Sequence, residues 1–317
     1  MGKKKSSAPP ESHLVLPPHP ARPTPTLAPI VDTHTHLTIF DFVRALYPPA
    51  AVRAIVDVWC DPAENGLWRE LADSALEEAD RRDKWGGVEY WFVMGVHPHE
   101  AKNYTDDVER AILEAMAHPR CVGWGEMGLD YHYDNSPRDL QQEVFIRQLK
   151  HAVRLGKPLT IHTREAEEDT ERILKEHVPT DHKVHIHCYT DSPKWAERML
   201  AHFPNLYIGI TGVITYASNL NTAEVVRRLA AASLRTDAAL RILLETDAPF
   251  MVPATLYPSL PTLKGRLPLS HSAMIPWTAQ FVADVANEHA WTRGEPPYNA
   301  LRVLREGEAN AKAVYGV

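Results

Sequence analysis

The sequence lacks several features that would place it in other classes of protein. No apolar run approaches the roughly 18 residues of a membrane span, which excludes an integral membrane protein. The three cysteines, Cys60, Cys121 and Cys188, are widely spaced and form no C-x-x-C pair, which argues against a disulfide framework and a zinc finger. The basic start, Lys3-Lys4-Lys5, leads into Ser and Pro, so no secretory signal is indicated. We therefore expect a reducing intracellular location, in the cytoplasm or the nucleus.

An excess of positive charge is also missing. The 34 Lys and Arg residues against 41 Asp and Glu give a formal charge of −7, which argues against a broad basic face for duplex DNA. A phosphate substrate is not excluded, because bound cations are often the largest local charges in a site. Glycine is scarce as well, with 15 Gly against 17 His. This excess of histidine over glycine is the compositional feature to explain.

The first 29 residues differ in composition from the rest of the chain. They contain eight prolines and few apolar side chains, which cannot offset the entropy cost of ordering the segment. We predict a flexible Pro-rich arm over residues 1–29 and one domain over residues 30–317. The start Met-Gly-Lys-Lys-Lys-Ser fits a loose myristoylation pattern, and its lysines fit a weak nuclear-targeting or nucleic-acid role, although such starts are common in soluble proteins.

From Ile30 onward, short apolar runs alternate with longer amphipathic stretches, which indicates βαβ units and a parallel sheet. The predicted strands are Pro29–His36, Val52–Trp59, Val88–Val96, Cys121–Glu126, Leu159–His162, Val184–His187, Leu206–Ile210 and Arg241–Thr246. The predicted helices are Pro62–Arg82, Asp106–His118, Pro137–Leu155 with Gly156 as C-cap, Arg164–His177, Pro193–His202, Thr222–Ser233, Ala273–His289 and Pro297–Val314. Eight strands that alternate with helices predict an α/β fold, a (β/α)₈ TIM barrel in one domain.

Histidine or acidic side chains end six of the eight predicted strands. In the first strand, His34 and His36 point to the same side, because side chains on a strand repeat every two residues. The other ends carry His97, Glu126, His162, His187 and Asp247. The active site of a TIM barrel lies at the C-terminal ends of its strands, so we expect these side chains to meet at one mouth.

Such a concentration of imidazoles and carboxylates predicts bound metal. Buried imidazoles and carboxylates are costly unless they are paired or bind a metal ion. Imidazole with carboxylate suits zinc, manganese or iron, and carboxylate with water suits magnesium. Six ligands are enough for two ions that share a bridging group. The residues therefore indicate divalent metal more firmly than they indicate which metal.

Six short motifs occur in order along the chain. They are Asp32-x-His34-x-His36-Leu37, Gly95-x-His97-Pro98, Gly125-Glu126-x-Gly128-Leu129-Asp130-Tyr131, Ile161-His162-x-Arg164, His187-Cys188 and Glu245-Thr246-Asp247-x-Pro249. In this order they resemble the successive signatures of the TatD family of metal-dependent deoxyribonucleases. The resemblance implies a TIM-barrel hydrolase of the amidohydrolase-like superfamily that holds two or more divalent ions and acts as an exonuclease on DNA, of the 3′-5′ type.

The resemblance also implies a ligand set, residue by residue. Glu126 would bridge two ions, which would be Mg²⁺ or Mn²⁺, with Zn²⁺ left open. The first ion would take His34, His36 and Asp247, and the second would take His162 and His187.

Further roles follow from the same resemblance. Asp247 would take a proton from water as general base, and Glu126 would share in catalysis as the bridging carboxylate. His97 would contact the scissile phosphate or polarise the attacking water, with a turn-capping role as the alternative. Arg164 would contact phosphate, or else pair with a neighbouring acid. Asp130 and Glu245 would not bind metal themselves but would orient the ligands. Asp32 would do the same or have a purely structural role. Cys188, on the opposite face of its strand from His187, is interpreted as core.

The chain departs from the family pattern after Pro249. A Pro-rich stretch leads to residues 269–276, where the family more usually has an Asn-Glu-Pro-like segment. A long loop inside a compact domain is usually functional. Lys264, Arg266 and His271 give it a positive character, so we interpret it as a substrate-contacting lid, with a variable surface loop as an equal alternative.

The leading hypothesis is a metal-dependent deoxyribonuclease that trims single-stranded DNA ends. A second is an ester- or amide-cleaving enzyme of the same superfamily, including one that removes a D-amino acid from tRNA. A third is a barrel that serves mainly as an interaction partner. The oligomeric state is left open.

Overall fold

A computed structural model describes residues 16, 17, 19, 28–36, 52–62, 67–236, 238–288 and 297–317. Its sheet has eight strands, which are parallel and pair in chain order. The strands are β1 (Ile30–Thr35), β2 (Val52–Trp59), β3 (Glu89–Met94), β4 (Cys121–Asp130), β5 (Leu159–Arg164), β6 (Val184–Ile186), β7 (Leu206–Ile210) and β8 (Ile242–Leu244).

The last strand returns to the first and closes the sheet. The N–H of Asp247 donates to the carbonyl of His34 at 2.9 Å, and the N–H of His36 donates to the carbonyl of Ala248 at 2.8 Å. The strands are almost wholly buried, as expected where helices cover one face of a parallel sheet and the other face lines the barrel interior. The prediction of a (β/α)₈ TIM barrel is confirmed.

Helices follow the strands and cover the outside of the barrel. They are α1 (Trp68–Asp73), α2 (Glu78–Trp85), α3 (Asp106–Met116), α4 (Arg138–Leu155), α5 (Glu167–His177), α6 (Pro193–His202), α7 (Leu220–Thr236), α8 (Ile275–Asn287) and α9 (Ala300–Tyr315). Side-chain caps set several starts: the oxygens of Thr105, Ser192 and Asn299 accept from N–H groups in the first turns of α3, α6 and α9. Gly156 ends α4 with a φ of 64°, as predicted.

Several predicted boundaries were wrong, among them the end of the fourth strand, which runs to Asp130 and not to Glu126, and two have an identifiable cause. The helix predicted over Pro62–Arg82 is two helices where the structure describes it, because the Ser74 hydroxyl donates to the carbonyl of Leu71 at 2.7 Å and competes with the helical ladder. The helix predicted from Arg164 begins at Glu167, since β5 runs on to Arg164 in register with Asp130 of β4.

The core has two layers. One lies between the sheet and the helices and includes Trp124, Phe145 and Trp195, all fully buried. The other fills the barrel interior, where small side chains such as Ala54 and Val93 pack with the end of α9. The last turn of α9 therefore helps to fill the barrel interior.

Residues 249–274, called the mouth segment below, lie beside the carboxyl ends of the strands. Two 3₁₀ turns, Ala254–Ser259 and Ser272–Met274, shape the segment. The N–H of Ser270 donates to the carbonyl of Pro249 at 2.9 Å, which closes its base. Of the predicted arm, Leu16 packs against the small core of this segment, and the His19 ring meets Trp277 edge-on at 5.0 Å. Residues 1–15 lie outside the described ranges, and within those ranges no helix has the length and apolar character to span a membrane.

Candidate metal centre

Two histidines from β1 form one side of a polar cluster at the barrel mouth. His34 and His36 are two residues apart at the end of an extended strand, and their Nε2 atoms lie 3.2 Å apart. Asp32 anchors this strand end, because its carboxylate accepts from the N–H and the hydroxyl of Thr246 at 3.0 and 2.6 Å and from the hydroxyl of Ser272 at 2.6 Å. The first strand is thereby tied to the end of the barrel and to the mouth segment.

Glu126 of β4 lies at the centre of the cluster. Its Oε1 is 2.8 Å from Nδ1 of His162, 2.8 Å from Nε2 of His187 and 3.3 Å from Nε2 of His97. These imidazoles come from β5, from the end of β6 and from the turn after β3. One carboxylate oxygen therefore faces three imidazoles from three different strand ends.

The other oxygen of Glu126 faces the first strand. Its Oε2 is 3.4 Å from Nε2 of His34 and 3.7 Å from Nε2 of His36. Asp247, which follows β8, completes this side with Oδ1 at 3.4 Å from Nε2 of His36. The structure thus brings together all six residues predicted as metal ligands, and it places His97, predicted to contact substrate or water, beside Glu126. Their roles as ligands stay predictions.

Two glycines allow β4 to carry Glu126 to this position. Gly125 and Gly128 have φ values of 151° and 150°, in a region that residues with a side chain rarely adopt. A Cβ at Gly128 would lie 1.9 Å from the carbonyl oxygen of His162, and one at Gly125 would lie 2.4 Å from that of Thr160. The glycines of the Gly-Glu-x-Gly motif therefore permit the close approach of β4 to β5.

Asp130 holds the ring of His162 from the side away from Glu126. Its Oδ2 lies 3.3 Å from Nε2 of His162 and 2.9 Å from Nε2 of His99. Its Oδ1 accepts from the N–H groups of His132 and Tyr133 at 2.9 and 3.0 Å. The carboxylate is thus fixed by backbone donors, and it can fix two imidazoles in turn.

Glu245 belongs to a buried network beneath the cluster. Its Oε1 accepts from the N–H of Cys188 at 2.5 Å and lies 3.9 Å from Nδ1 of His187. Its Oε2 is 2.9 Å from Nε2 of His185, whose Nδ1 is 2.9 Å from the hydroxyl of Tyr315. A chain of polar contacts therefore links the last helical residue of α9 to the metal cluster.

Opposite charges balance within the cluster. Burial favours a raised pKa at Glu126, but the neighbouring imidazoles, His187 foremost, hold that pKa well below its ordinary value. Burial lowers the pKa of His34 to about 3. Burial would also lower the pKa of His36, but the Asp247 carboxylate outweighs it and raises that pKa well above its ordinary value. The carboxylate of Glu126 is therefore ionised and able to bind a cation.

The donor set fits divalent cations. Nδ1 of His34 and Nδ1 of His187 are buried and have no hydrogen-bond partner among the described residues, a cost that a cation bound at these two nitrogens would reduce. Three groups place their ligand atoms within 4.8 Å of one another: His34, His36 and Glu126; His97, Glu126 and His162; and His34, His187 and Glu245. Imidazole and carboxylate together suit transition-metal dications, so the chain has candidate metal-binding clusters.

Of the predicted substrate contacts, His97 lies within this cluster, and the other three lie around it. The cluster opens into a cleft of about 600 Å³, and Arg164 lines it with its guanidinium 4.9 Å above the Tyr133 ring. Lys264 and Arg266 are exposed on the mouth segment. Contact of these three cations with substrate stays a prediction.

Two cysteines behave differently from expectation. Cys60 lies at the cluster, with its Sγ 3.8 Å from Oε2 of Glu126, and no motif pointed to it because the end of β2 carries no histidine. The interpretation of Cys188 as core was wrong, since it is half-buried and lines the cleft. Its φ of 43° shows that the strand alternation on which that interpretation depended has ended at Ile186.

The cluster also depends on residues that the motifs did not single out. His99 bonds Asp130, and His185 joins Glu245 to Tyr315. The position of His185, two residues before His187 on the same strand face, could have indicated a second buried imidazole.

Comparison with known proteins agrees with these motifs. The sequence profile of the TatD related DNase family matches residues 31–315. The 3′-5′ RNA nuclease TATDN2 of Homo sapiens is 38% identical over 274 residues, which are 82% of this chain and 32% of that protein. The chain thus spans about a third of the length of this human relative. The 3′-5′ ssDNA/RNA exonuclease TatD of Escherichia coli strain K12 is 31% identical over 260 residues, 81% of this chain and 90% of that protein.

Solved structures show the same fold. The crystal structure of YJJV, a TatD homologue from Escherichia coli, superposes with a TM-score of 0.69 at 21% identity, over 92% of this chain and all of that one. An uncharacterized amidohydrolase from Saccharomyces cerevisiae superposes with a TM-score of 0.68 at 17% identity, over 91% of this chain and all of that one. The protein is a hydrolase of the TatD type, and the predicted resemblance is confirmed. The chain belongs to the TatD-related DNase family.

Proposed function

We propose that the protein is a divalent-metal-dependent nuclease that removes nucleotides from the 3′ end of single-stranded nucleic acid, DNA and RNA alike. The observation that carries the proposal is the single buried carboxylate of Glu126, which faces five imidazoles at the end of an open cleft. The names of the relatives supply the direction of cleavage along the strand and the class of substrate. One relative is called a 3′-5′ RNA nuclease and another a 3′-5′ ssDNA/RNA exonuclease.

The ligands divide into two groups around Glu126. We assign His34, His36 and Asp247 to one ion, and His162 with His187 to a second, with Mg²⁺ or Mn²⁺ as the metal and Zn²⁺ as the alternative. When bound there, such ions supply positive charge to a phosphodiester and lower the pKa of water. Glu126 holds the two groups together, because its two oxygens face opposite sides of the cluster.

The remaining chemistry belongs to side chains that face the cleft. Asp247 lines the cleft and is held at 3.4 Å from Nε2 of His36, so its carboxylate can take the proton of the attacking water as general base. His97 stands beside Glu126 with Nε2 directed into the cluster and is placed to contact the scissile phosphate. Arg164 provides a planar donor group for a second phosphate contact, since its guanidinium lies on Tyr133 at the cleft wall.

The three cysteines are free thiols, which agrees with a reducing compartment. We therefore propose that the protein acts in the cytoplasm or the nucleus. Fractionation of cells that express a tagged full-length chain tests this, and recovery in a secreted fraction would contradict it.

The function can be tested with a panel of substrates. The protein is incubated with 5′-labelled single-stranded DNA, the same sequence as RNA, and D-aminoacyl-tRNA, each with Mg²⁺, Mn²⁺, Zn²⁺ or EDTA. We expect a ladder of products shortened from the 3′ end in the presence of metal and no cleavage in EDTA. Cleavage that persists both in EDTA and in the variant Glu126→Gln would overturn the mechanism. Release of the D-amino acid without cleavage of DNA or RNA would show an esterase and contradict the nuclease. It would not contradict the proposed metal site.

A further inference from the structure

A second groove lies beside the cleft of about 600 Å³ into which the cluster opens. None of the residues predicted as metal ligands lines this groove. It has a volume of about 1020 Å³ and runs between Tyr216 and the mouth segment. Its walls include the aromatic rings of Tyr216, Phe250 and Tyr257, and Arg266 is at its edge. Phe250 is 59% exposed, although it is large and apolar. We call this feature the aromatic groove.

The aromatic groove is continuous with the metal cleft. Ser218 and Met251 line both, and the cleft also contains Asp247. The N–H of Phe250 donates to the carbonyl of Asp247 at 2.9 Å, so a single turn of chain joins the proposed general base to the exposed ring. A strand with its end at the cluster would therefore extend into this groove.

Contacts beneath the groove hold its walls in place. The hydroxyl of Tyr216 donates to the carbonyl of Val252 at 3.1 Å, and the N–H of Ala254 donates to the hydroxyl of Thr215 at 2.7 Å. The mouth segment also has its own small core, in which Leu256 is fully buried. The walls of the groove are thus fixed by contacts within the chain, and walls that are fixed in advance lower the cost of binding.

The charge of the groove is unusual for this chain. The protein carries 41 acidic residues, yet none occurs between Asp247 and Asp284 in the sequence. The described residues that line the groove include Arg266 but no Asp or Glu. Burial and the neighbouring Tyr257 raise the pKa of Tyr216, and the charge of Arg266 opposes this. An aromatic surface beside a cation and without acids suits an anionic ligand that has flat apolar faces.

We propose that the aromatic groove binds the bases of single-stranded nucleic acid on the 5′ side of the scissile bond. Phe250 and Tyr257 are the stacking surfaces, and Arg266 contacts a backbone phosphate. Stacking on aromatic rings accepts every base, because every base has a π-face, and a nearby cation follows the backbone. The proposal rests on the proposed function, since an enzyme that shortens a 3′ end must hold the strand that precedes the bond it cuts.

Binding without cleavage gives the first test. Fluorescence anisotropy of a 5′-labelled ten-nucleotide oligo-dT is measured in EDTA with the full chain. Phe250→Ala is expected to raise Kd about tenfold, or about 1.4 kcal/mol, which is within the range for one base stacked on an aromatic ring. Phe250→Leu should recover only part of this loss, because it restores apolar area without a π-face. Leu155→Ala, at a similarly exposed apolar residue at the end of α4, is the matched control and should leave Kd unchanged.

A coupling experiment identifies the base as the group recognised. Cleavage of the natural oligonucleotide is compared with that of one whose bases on the 5′ side are replaced by abasic sites. Wild type should have a higher KM for the abasic strand than for the natural strand. In Phe250→Ala one partner of the contact is already missing, so removal of the base should change KM little, because the losses at one contact are not additive. Leu155→Ala, at an exposed residue outside the groove, should keep the wild-type difference between the two strands.

The outcomes separate this proposal from the proposed function. Equal Kd values for wild type and Phe250→Ala, or no binding of oligo-dT by wild type, would overturn the groove whatever the hydrolysis assays show. Weaker binding by Phe250→Ala, in a protein that cleaves no phosphodiester with any metal, would retain the groove and overturn the nuclease. Capture of an acidic peptide in the groove, with oligo-dT excluded, would replace the strand by a protein partner and contradict the proposal.

Discussion

The metal cluster and the mouth segment lie side by side at the same end of the barrel but are built in opposite ways. The cluster takes polar side chains from the ends of strands, and each of the two oxygens of Glu126 faces more than one imidazole. The mouth segment is made of loops and two short 3₁₀ turns, and it exposes Phe250, Lys264 and Arg266 but contains no acid. The comparison suggests that the strands fix the chemistry and that the segment selects what reaches it.

The metal cluster and the mouth segment also differ in the kind of contact that fixes their residues in place. The positions of His34 and Asp247 follow from backbone hydrogen bonds that close the barrel, and these would form for many side chains. The mouth segment is held by individual contacts, such as Asp32 with Ser272 and Thr215 with Ala254. Substitutions in the cluster should therefore change metal binding and turnover, whereas substitutions in the segment should change substrate affinity.

The largest effect is expected for Glu126→Gln. The amide keeps the shape but removes the charge that five imidazoles face, so metal affinity and turnover should each fall by more than about 100-fold, the upper range for residues that only support ligands. Addition of Mn²⁺ to wild type should raise the thermal midpoint by mass action, and the variant should lose this rise.

Glu143→Gln is the matched control for that change, since Glu143 is an exposed acid on α4. It should keep both the metal-induced rise and the activity. If Glu126→Gln kept the metal-induced rise in thermal midpoint, the ions would bind elsewhere. The assignment of metal binding to the cluster and of substrate affinity to the mouth segment would then be wrong.

A smaller loss is expected for Asp130→Asn. Asp130 does not face Glu126 but contacts the far nitrogen of His162 and the ring of His99, so it acts through the orientation of these imidazoles. Isothermal titration with Mn²⁺ should show a Kd about 10- to 100-fold higher, as for other partners of metal-binding histidines. Asp139→Asn, at the exposed start of α4, should bind metal as wild type does. An unchanged metal Kd in Asp130→Asn would show that His162 needs no support from this carboxylate.

The cluster could be predicted from the sequence and the mouth segment could not, for physical reasons. The period of two along a strand placed His34 and His36 together, and the common direction of parallel strands placed the other ends beside them. Contacts that depend on tertiary packing gave no such signal. Tyr315 is 130 residues from His185 in sequence, and no local pattern joins them.

Local patterns failed in the mouth segment for the same reason. Its turns are set by contacts with distant residues, including the hydroxyl of Thr215, which is 39 residues before Ala254. The sequence indicated exposed cations there, Lys264 and Arg266, but not that aromatic rings would line a groove. His271 was wrongly counted among these cations, because it is buried and burial lowers its pKa to about 4. Cys60 was missed because its strand end carries no histidine, although its thiol lies at Glu126.

On the segment side of the comparison, Arg266→Ala should weaken binding without changing the chemistry. If Arg266 contacts one phosphate, the slope of log K against log salt for oligo-dT should decrease in magnitude by about 1. The rate on bis(p-nitrophenyl) phosphate should be unchanged. Lys150→Ala, an exposed cation on α4, should leave the salt slope as it is in wild type. A lower rate on the small phosphodiester in Arg266→Ala would show that the segment takes part in the chemistry after all.

The smallest effect concerns Asp191, an acid beside Arg164 at the barrel mouth in which burial outweighs the neighbouring hydrogen bonds and the charge of His162. Burial, with Glu167 nearby, raises the pKa of Asp191 to about 7, and its Oδ2 has no hydrogen-bond partner among the described residues. A carboxyl whose pKa is higher in the folded state than in the unfolded state binds more protons when folded, so its contribution to stability decreases as the pH rises from about 4 to about 7. The amide of Asp191→Asn cannot ionise. In EDTA, the thermal midpoint of the variant should therefore rise relative to that of wild type between about pH 4 and about pH 7, and the difference between the two midpoints should stay constant above about pH 7. A difference that does not depend on pH would show that Asp191 is as well compensated as Glu126. The contrast between an acid that faces several imidazoles and one whose burial is only partly compensated would then be lost.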